Sequence, residues 1–233
     1  MPQNSNEKID EKSSYGPINA YGFSKQKAEK LCAEFKDKNS DVRLITIRPT
    51  VLYGPSSPKN TGLYRAIDNN IFRMIDGISS KRFAIVGNGK TIKSTAYIEN
   101  FVEAIIFSYK QNSNRSLYIY ADRPASKIES LVMMVRKAFG LNGLGLKIPF
   151  FIAYPLSYIF DLISFLTKIN LPINSSRIKT FTRSTNFYPT EFEKLGFEQS
   201  FSTKEAIEKT VNWYKDLKKN HGSKFFLIKD NSR

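Results

Sequence analysis

The sequence predicts an α/β fold with a largely parallel sheet, because helix-like and strand-like patterns alternate between residues 19 and 140. In the helical segments apolar residues recur every three or four positions, and short β-branched runs lie between these segments. Hydrophobic residues make up 41% and charged residues 24% of the 233 positions, a balance typical of globular chains. A chain of this length forms one large domain or two small ones.

Each element is predicted from a local pattern. Residues 1–17 are polar and rich in turn formers, so we expect a loop there. Residues 19–38 carry a helical repeat that includes Phe23, Leu31 and Phe35, and the β-branched strand at 43–48 is stopped by Pro49. Further along we predict helices at 63–75, 98–109, 127–139 (closed by Gly140) and 203–219, and strands at 83–86 and 117–120. The last helix is predicted to be amphipathic, with an apolar stripe formed by Ala206, Ile207, Thr210, Val211, Tyr214 and Leu217.

The segment 148–168 is almost wholly apolar and leaves three interpretations open. A buried helix of a substrate-binding lobe is the favoured one, and surface association with anionic lipid is the second. A membrane-spanning helix is the third, because a span takes about 20 apolar residues. Pro155 and Asp161 inside the segment, with Lys147 and Lys168 at its ends, argue against a stable span.

Composition excludes several classes of chemistry. One cysteine, Cys32, cannot form an internal disulfide, and with the one histidine, His221, it cannot supply the ligands of a usual zinc site. We therefore predict no metal, and a cytoplasmic protein, since the first residues also lack the apolar core of a signal peptide. Proton transfer near neutral pH falls to a Tyr, Lys, Asp or Glu side chain.

The net charge of +15 favours anionic partners, such as phosphorylated substrates or anionic lipid. The basic residues are scattered along the chain and form no recognisable nucleic-acid motif, so we predict no nucleic-acid partner.

Tyr21 and Lys25 are four residues apart and therefore share one face of the first predicted helix. An ammonium group within a few ångströms of a phenol favours the phenolate, which can exchange a proton with an alcohol or a carbonyl. The same spacing occurs at Tyr214 and Lys218, where we expect only a solvated helix face.

Four segments surround this pair with a specific pattern. In chain order they are PINAYGFSK (17–25), IRPTVLYGP (47–55), VGNG (86–89) and YIEN (97–100). Together with LGF (195–197), STKEAI (202–207) and VNWY (211–214), they resemble the NAD-dependent epimerase/dehydratase family of extended short-chain dehydrogenases/reductases. The resemblance covers nearly all of residues 10–217 and is closest to the nucleotide-sugar 4-epimerases.

The resemblance implies a role for individual residues. Tyr21 would be the catalytic acid/base, and Lys25 would assist it and hold the nicotinamide ribose. Pro49 and Thr50 would lie along the nicotinamide, with Val51 on the sugar side. Lys93 stands where the family usually has an arginine that pairs with the substrate diphosphate, and a lysine keeps the charge but loses the bidentate geometry.

Arg183 is the second candidate for the diphosphate, and for each of these two cations a solvated surface charge is the alternative. The cofactor implied is NAD, with NADP as the alternative, and the fold implied is a Rossmann-type doubly wound parallel sheet with a mostly helical substrate lobe. The predicted domains are 1–125, the second half of the NAD(P)-binding part with a substrate-pocket segment at 56–96, and 126–233, the substrate-binding lobe.

The sequence departs from the family in one large respect. It contains no strand, Gly-rich turn and helix of the kind that holds a dinucleotide pyrophosphate. The segment 84–91 matches a relaxed P-loop pattern, but no helical pattern begins before Ile98, so a simple turn is the better prediction. The chain thus looks like the C-terminal two-thirds of such an enzyme, and we expect it to be inactive alone.

The predicted function is that of a UDP-sugar 4-epimerase, dehydratase or 4-ketoreductase in polysaccharide biosynthesis. The alternatives are a membrane-associated oxidoreductase similar to sterol dehydrogenases, and a non-catalytic basic protein at a membrane surface. A nucleotide sugar, a second copy of the chain, a separate N-terminal piece and peripheral membrane contact are the partners expected.

Overall fold

The computed structural model describes residues 8–14, 16–17, 19–55, 70–112, 115–167 and 175–221. The helices in these ranges are α1 (Ala20–Lys38), α2 (Asn70–Ser79), α3 (Ile98–Lys110), α4 (Ile128–Ala138), α5 (Phe150–Thr167), α6 (Ser175–Thr182), α7 (Thr190–Lys194) and α8 (Thr203–His221). The strands are β1 (Leu44–Pro49), β2 (Val51–Tyr53), β3 (Ala84–Val86), β4 (Ile92–Lys93), β5 (Thr95–Tyr97), β6 (Arg115–Tyr120), β7 (Ser126–Lys127) and β8 (Leu146–Ile148).

The two longest strands pair in parallel. β1 and β6 run in register from Leu44 opposite Arg115 to Pro49 opposite Tyr120. β3 and β8 also pair in parallel, whereas β4 and β7 form a short antiparallel pair, and β2 pairs with β5. Helices connect the parallel strands, as a parallel arrangement requires. The predicted α/β class is therefore confirmed.

The chain divides into two compact units, and neither is continuous in sequence. Unit 1 consists of residues 1–52, 94–125 and 185–200, and unit 2 consists of residues 53–93, 126–184 and 201–233. The division into functional domains at 1–125 and 126–233 stays a prediction.

The core of unit 1 is an aromatic cluster on β6. Tyr118 and Tyr120 from β6 surround Phe192 of α7 together with Phe107 and Phe197, and Phe192 is 1% exposed. The segment before α1 also joins this unit, because Ile9 forms a β-bridge with Phe187. The N-terminal residues 8–14 are thus tied into the unit, although their composition predicted only a loop.

Unit 2 contains α8 packed on α4, and α8 confirms its predicted apolar stripe. The six residues of that stripe are all buried, namely Ala206, Ile207, Thr210, Val211, Tyr214 and Leu217. The expectation of a solvated face at Tyr214 is wrong, since its ring is 2% exposed and its hydroxyl donates to Asp76 Oδ1 at 2.8 Å. Burial and Asp76 raise the pKa of Tyr214, so this phenol stays protonated and is a structural group.

The turn after β3 is not a phosphate loop. Gly87 and Gly89 have φ values of +83° and +76°, a region that residues with a Cβ rarely adopt, and they turn the chain from β3 towards β4. The first helix after this turn is α3 at Ile98, which confirms the predicted turn. Of the helix predicted at 63–75, the part before Asn70 lies outside the described residues.

Two apolar segments face solvent more than their patterns predicted. On α1, Phe23, Leu31 and Phe35 are 56–57% exposed. On α5, residues such as Phe151 and Leu166 are at least 70% exposed, so the buried-helix prediction for 148–168 is wrong. Within the described ranges, no helix has the length and apolar character needed to cross a membrane.

Candidate active site

The two residues predicted for catalysis, Tyr21 and Lys25, lie in the first turns of α1. Asn19 caps this helix by accepting the amide N–H of Gly22 at 2.8 Å. A Cβ at Gly22 would lie 3.0 Å from the Pro17 Cβ and 3.3 Å from the capping oxygen, so the residue after Tyr21 has to be small. The cap fixes the start of α1 and hence the direction in which Tyr21 leaves the helix.

The structure brings Tyr21 and Lys25 together. The Lys25 ammonium lies 5.5 Å from the centroid of the Tyr21 ring, one helical turn away. Tyr21 is 71% exposed, so its phenol is open to a reacting group. The pair thus has both the proximity and the access that proton exchange with a substrate requires.

An ion pair fastens this face of α1 to the end of β1. Glu29 lies one turn beyond Lys25, and its carboxylate accepts from Arg48 Nε at 3.0 Å and from Arg48 Nη2 at 2.6 Å. Each of the two side chains is 27% exposed, so water screens this bidentate pair only in part. The ion pair thereby fastens the helix that carries Tyr21 and Lys25 to the strand residue that precedes Pro49.

Pro49, Thr50 and Val51 follow Arg48 directly. The Thr50 amide donates to the Tyr120 carbonyl at 2.9 Å, which anchors this segment to the carboxyl end of β6. The Thr50 hydroxyl is buried and has no hydrogen-bond partner within the described part of the chain. Pro49 and Val51, which begins β2, are exposed. An unsatisfied buried hydroxyl beside exposed neighbours suits a ligand with a polar edge.

Sequence reasoning missed Glu29 and Arg48. Two signals were present, because Glu29 continues the four-residue spacing of Tyr21 and Lys25, and Arg48 is a cation inside an otherwise apolar strand. A charge at such a position is rarely buried without a partner.

An open groove of about 750 Å³ lies beside this ion pair and is also lined by Phe23 and Gln26.

The two predicted diphosphate cations, Lys93 and Arg183, meet in unit 2. Lys93 ends β4, and its ammonium donates to the Arg183 carbonyl at 2.5 Å. A neighbouring hydrogen bond from the Ile92 amide to Ser184 Oγ, at 3.2 Å, keeps the two segments side by side. Residues separated by 90 positions in sequence therefore form one basic site.

The electrostatics of this basic site favour an anion. Partial burial, and secondly the nearby positive charge of Arg183, lower the pKa of Lys93 from 10.5 to about 8. Two cations held close together repel each other, and a bound anion relieves that repulsion. Among the described residues, no cluster of His, Cys, Asp and Glu side chains could hold a metal ion.

A further cavity, of about 480 Å³, lies at the carboxyl end of β6 in unit 1. Its lining includes Arg123, whose guanidinium stacks 4.0 Å from the centroid of the Tyr188 ring. None of the residues predicted from the sequence for catalysis, cofactor or substrate lines this cavity.

Comparison with solved structures identifies the fold. A UDP-glucuronic acid 4-epimerase from Bacillus cereus in complex with NAD matches with a TM-score of 0.65 and 15% identity, over 92% of this chain and 58% of that one. A dTDP-glucose 4,6-dehydratase from Bacillus anthracis str. Ames in complex with NAD matches with a TM-score of 0.64 and 12% identity, over 93% and 58%. The Rossmann-type fold expected from the resemblance is confirmed.

Sequence relatives agree with this fold. An N-acetyl-alpha-D-glucosaminyl-diphospho-ditrans,octacis-undecaprenol 4-epimerase from Escherichia coli O157:H7 is 29% identical over 206 residues, which are 88% of this chain and 59% of the relative. An uncharacterized UDP-glucose epimerase from Bacillus subtilis (strain 168) is 26% identical over 98 residues, 42% of this chain and 28% of the relative. The chain therefore spans about three-fifths or less of these relatives.

The family model of the NAD dependent epimerase/dehydratase family matches residues 1–119, just over half of the chain. The matched range contains Tyr21, Lys25, Lys93 and the segment 49–51, to which the resemblance assigned roles, whereas Arg183 lies outside it. The chain belongs to the NAD dependent epimerase/dehydratase family.

Proposed function

We propose that the chain carries the catalytic and substrate-binding part of an NAD-dependent enzyme that inverts a carbon of a diphosphate-linked sugar, a 4-epimerase. The observation that carries the proposal is the Tyr21–Lys25 pair on α1, a helix that the Glu29–Arg48 ion pair fastens to β1 directly before Pro49–Val51. The names of the relatives support epimerisation first, with dehydration and 4-keto reduction as the alternatives.

In this proposal Tyr21 does the proton chemistry. Its phenolate takes the proton of the sugar hydroxyl while the carbon loses a hydride, and it returns the proton to the oxygen when a hydride is added to the other face. Lys25 lies one helical turn from Tyr21, with its ammonium 5.5 Å from the ring centroid, and is proposed to hold the nicotinamide ribose beside it. A bound nicotinamide supplies hydride acceptance and return.

The residues of the chain fit one end of that cofactor. The buried, unpartnered Thr50 hydroxyl, with Pro49 beside it, suits the polar edge and flat ring of a nicotinamide, and Lys25 suits a ribose. No Gly-rich turn for the pyrophosphate occurs in the sequence. We therefore propose that a dinucleotide-binding part outside residues 1–233 completes the enzyme, and that the chain alone turns over no substrate.

Lys93 and Arg183 are proposed to bind the substrate diphosphate. A diphosphate occurs both in nucleotide sugars and in the undecaprenol-linked sugar named for the Escherichia coli relative, so the basic site suits either. Charge supports this assignment, because the desolvated Lys93 regains electrostatic stabilisation when an anion binds.

The cytoplasm is the proposed compartment, where an exposed thiol such as Cys32 stays reduced.

Thermal unfolding with separate ligands tests this division, in which the chain binds the substrate and another part binds the dinucleotide. UDP-N-acetylglucosamine at 100 times its Kd should raise the Tm by roughly 5 °C or more, because it binds only the folded state. NAD and NADP should leave the Tm unchanged, since the chain has no Gly-rich turn to bind their pyrophosphate. A Tm raised by NAD alone would contradict the division, and no response to the UDP-sugar would contradict the proposed substrate site.

The basic site should also make diphosphate binding depend on pH. Protonated Lys93 attracts the anion, and its pKa of about 8 means that the charge is largely present at pH 7 and lost by pH 9.5. We expect the affinity for UDP to fall by about tenfold over that range. Isothermal titration of wild-type protein and of Lys93→Arg measures it.

The arginine variant is the control for this pH dependence, because a guanidinium stays charged throughout. Lys93→Arg should keep its affinity nearly constant between pH 7 and 9.5. A wild-type affinity that does not change with pH, or a variant that weakens in parallel with the wild type, contradicts the role of Lys93.

A further inference from the structure

On helix α5 small and polar side chains face the protein, and large apolar side chains face solvent. The side chains that face inward are small or polar: Ala153 is 6% and Ser157 is 0% exposed. On the same side, the Asp161 carboxylate accepts the amide N–H of Ser175, the first residue of α6, at 3.3 Å. We call the opposite side the outer face of α5, formed by Phe151 (75% exposed), Ile152 (49%), Leu156 (45%), Ile159 (55%), Ile163 (40%) and Leu166 (70%).

A helix at a protein surface normally turns its large apolar residues inward and its serines and aspartates towards water. Single exposed apolar residues are common, but six on one side of one helix form a continuous apolar patch of the kind that marks an interaction surface. The inward face is meanwhile satisfied by its own contacts, so turning α5 over would bury unpaired polar groups without a gain. The outer face therefore needs a partner.

The charged residues that flank α5 in the sequence favour one kind of partner. Between residues 147 and 179 the sequence holds four basic residues, Lys147, Lys168, Arg177 and Lys179, and one acidic residue, Asp161. Lys147 also forms an ion pair with Glu129, at 3.4 Å. Asp161 is the residue that bonds to Ser175 on the inner side. A second copy of this chain would bring another net charge of +15 to the contact, which opposes self-association there. An apolar surface with negative charge at its edge complements this arrangement.

Aromatic rings stand at the start of the helix. Phe150 stacks on Tyr154 with ring centroids 5.1 Å apart, and the hydroxyl groups of Tyr154 and Tyr158 share a hydrogen bond of 2.7 Å. Rings with an apolar body and a polar tip are the side chains that favour the boundary between lipid headgroups and hydrocarbon.

We propose that α5 lies flat on the surface of an anionic phospholipid bilayer, with its outer face inserted among the headgroups. The exposed apolar residues of the outer face supply the apolar contact, and the basic residues that flank α5 in the sequence supply attraction to anionic lipid. This inference goes beyond the proposed reaction and does not rest on it, because α5 contains none of the residues assigned to catalysis, cofactor or diphosphate.

Vesicle flotation tests the proposal with matched variants. The chain should float with vesicles of equal parts phosphatidylglycerol and phosphatidylcholine, and not with pure phosphatidylcholine. Ile159→Glu places a charge in the outer face and should lower the bound fraction by roughly tenfold. Ile106→Glu is the control, because Ile106 is 51% exposed on α3 and the chemical change is identical; its binding should stay within about twofold of wild type.

Fluorescent labelling gives a second measurement that does not depend on the glutamate variant. In a Cys32→Ser background, an environment-sensitive dye attached through Ile159→Cys should shift to the blue with anionic vesicles, and one attached through Ile106→Cys should not. Equal shifts at the two positions, no shift at either, or equal flotation of wild type and Ile159→Glu would overturn the proposal. So would a dimer that Ile159→Glu dissociates without vesicles, because a second copy would then cover the outer face.

Discussion

Replacing Tyr21 by phenylalanine should lower turnover by about a hundred- to ten-thousand-fold, the range expected when a general acid/base is lost. The variant removes one hydroxyl from a side chain that is 71% exposed, so we expect the free energy of unfolding to change by less than about 0.5 kcal/mol. Turnover is measured as sugar epimerisation by the chain joined to a dinucleotide-binding part, with UDP-N-acetylglucosamine as substrate. The loss should appear in kcat, because substrate binding does not need the phenol proton.

The chain offers a closely matched control for this substitution. Tyr109 is 70% exposed on α3, and Tyr109→Phe removes the same hydroxyl at a position outside the proposed site. Its kcat should remain within about twofold of wild type. If both variants keep full activity, Tyr21 is not the acid/base, and if both lose activity to the same degree, the loss has a cause other than proton transfer at Tyr21.

Regular elements could be predicted from sequence because their signals are local. The apolar spacing of α8 identified six residues that are all buried, and the β-branched run before Pro49 identified β1. The close of α4 was equally clear, since Gly140 has the φ of +74° that a helix-ending glycine adopts. Each of these patterns is decided within one element.

Whether a given helix face is buried or exposed could not be predicted from such local patterns. Periodicity says which side chains share a face of a helix, but not what lies against that face. Phe23 and Phe35 of α1 carry the pattern of a buried stripe and are exposed, whereas Tyr214 on a lysine-rich helix is buried against Asp76. On α5, the small or polar residues Ala153, Ser157 and Asp161 share one side of the helix, and this side faces inward, the opposite of what an amphipathic pattern predicts.

The contacts of the candidate site are likewise of two kinds, those between neighbours in sequence and those that form only on tertiary folding. Tyr21 and Lys25 are four residues apart, so helix geometry alone brings them together. The Glu29–Arg48 ion pair joins a helix to a strand, and the Lys93–Arg183 pair joins segments 90 residues apart. Contacts of this kind depend on tertiary folding, and resemblance to a family pointed to Lys93 and Arg183 only as separate candidates.

The aromatic cluster of unit 1 packs on β6, the strand that anchors Thr50, and Phe192 is the centre of this cluster. The Phe192 ring stacks on Tyr118 at 4.8 Å and lies edge-on to Tyr120 at 5.7 Å, both on β6, whose last carbonyl accepts the Thr50 amide. Phe192→Ala should lower the free energy of unfolding by about 3–5 kcal/mol, because it leaves a cavity that rigid rings cannot fill. Urea unfolding, followed by circular dichroism, measures the change.

A second phenylalanine separates the loss of packing from the loss of an aromatic ring as such. Phe151 lies on the outer face of α5 and is 75% exposed, so Phe151→Ala should change the free energy of unfolding in vesicle-free buffer by less than about 0.5 kcal/mol. Equal destabilisation by the two variants would mean that α5 is covered in the free protein. A negligible effect of Phe192→Ala would mean that β6 does not depend on this cluster, and the anchoring of Thr50 would then need another explanation.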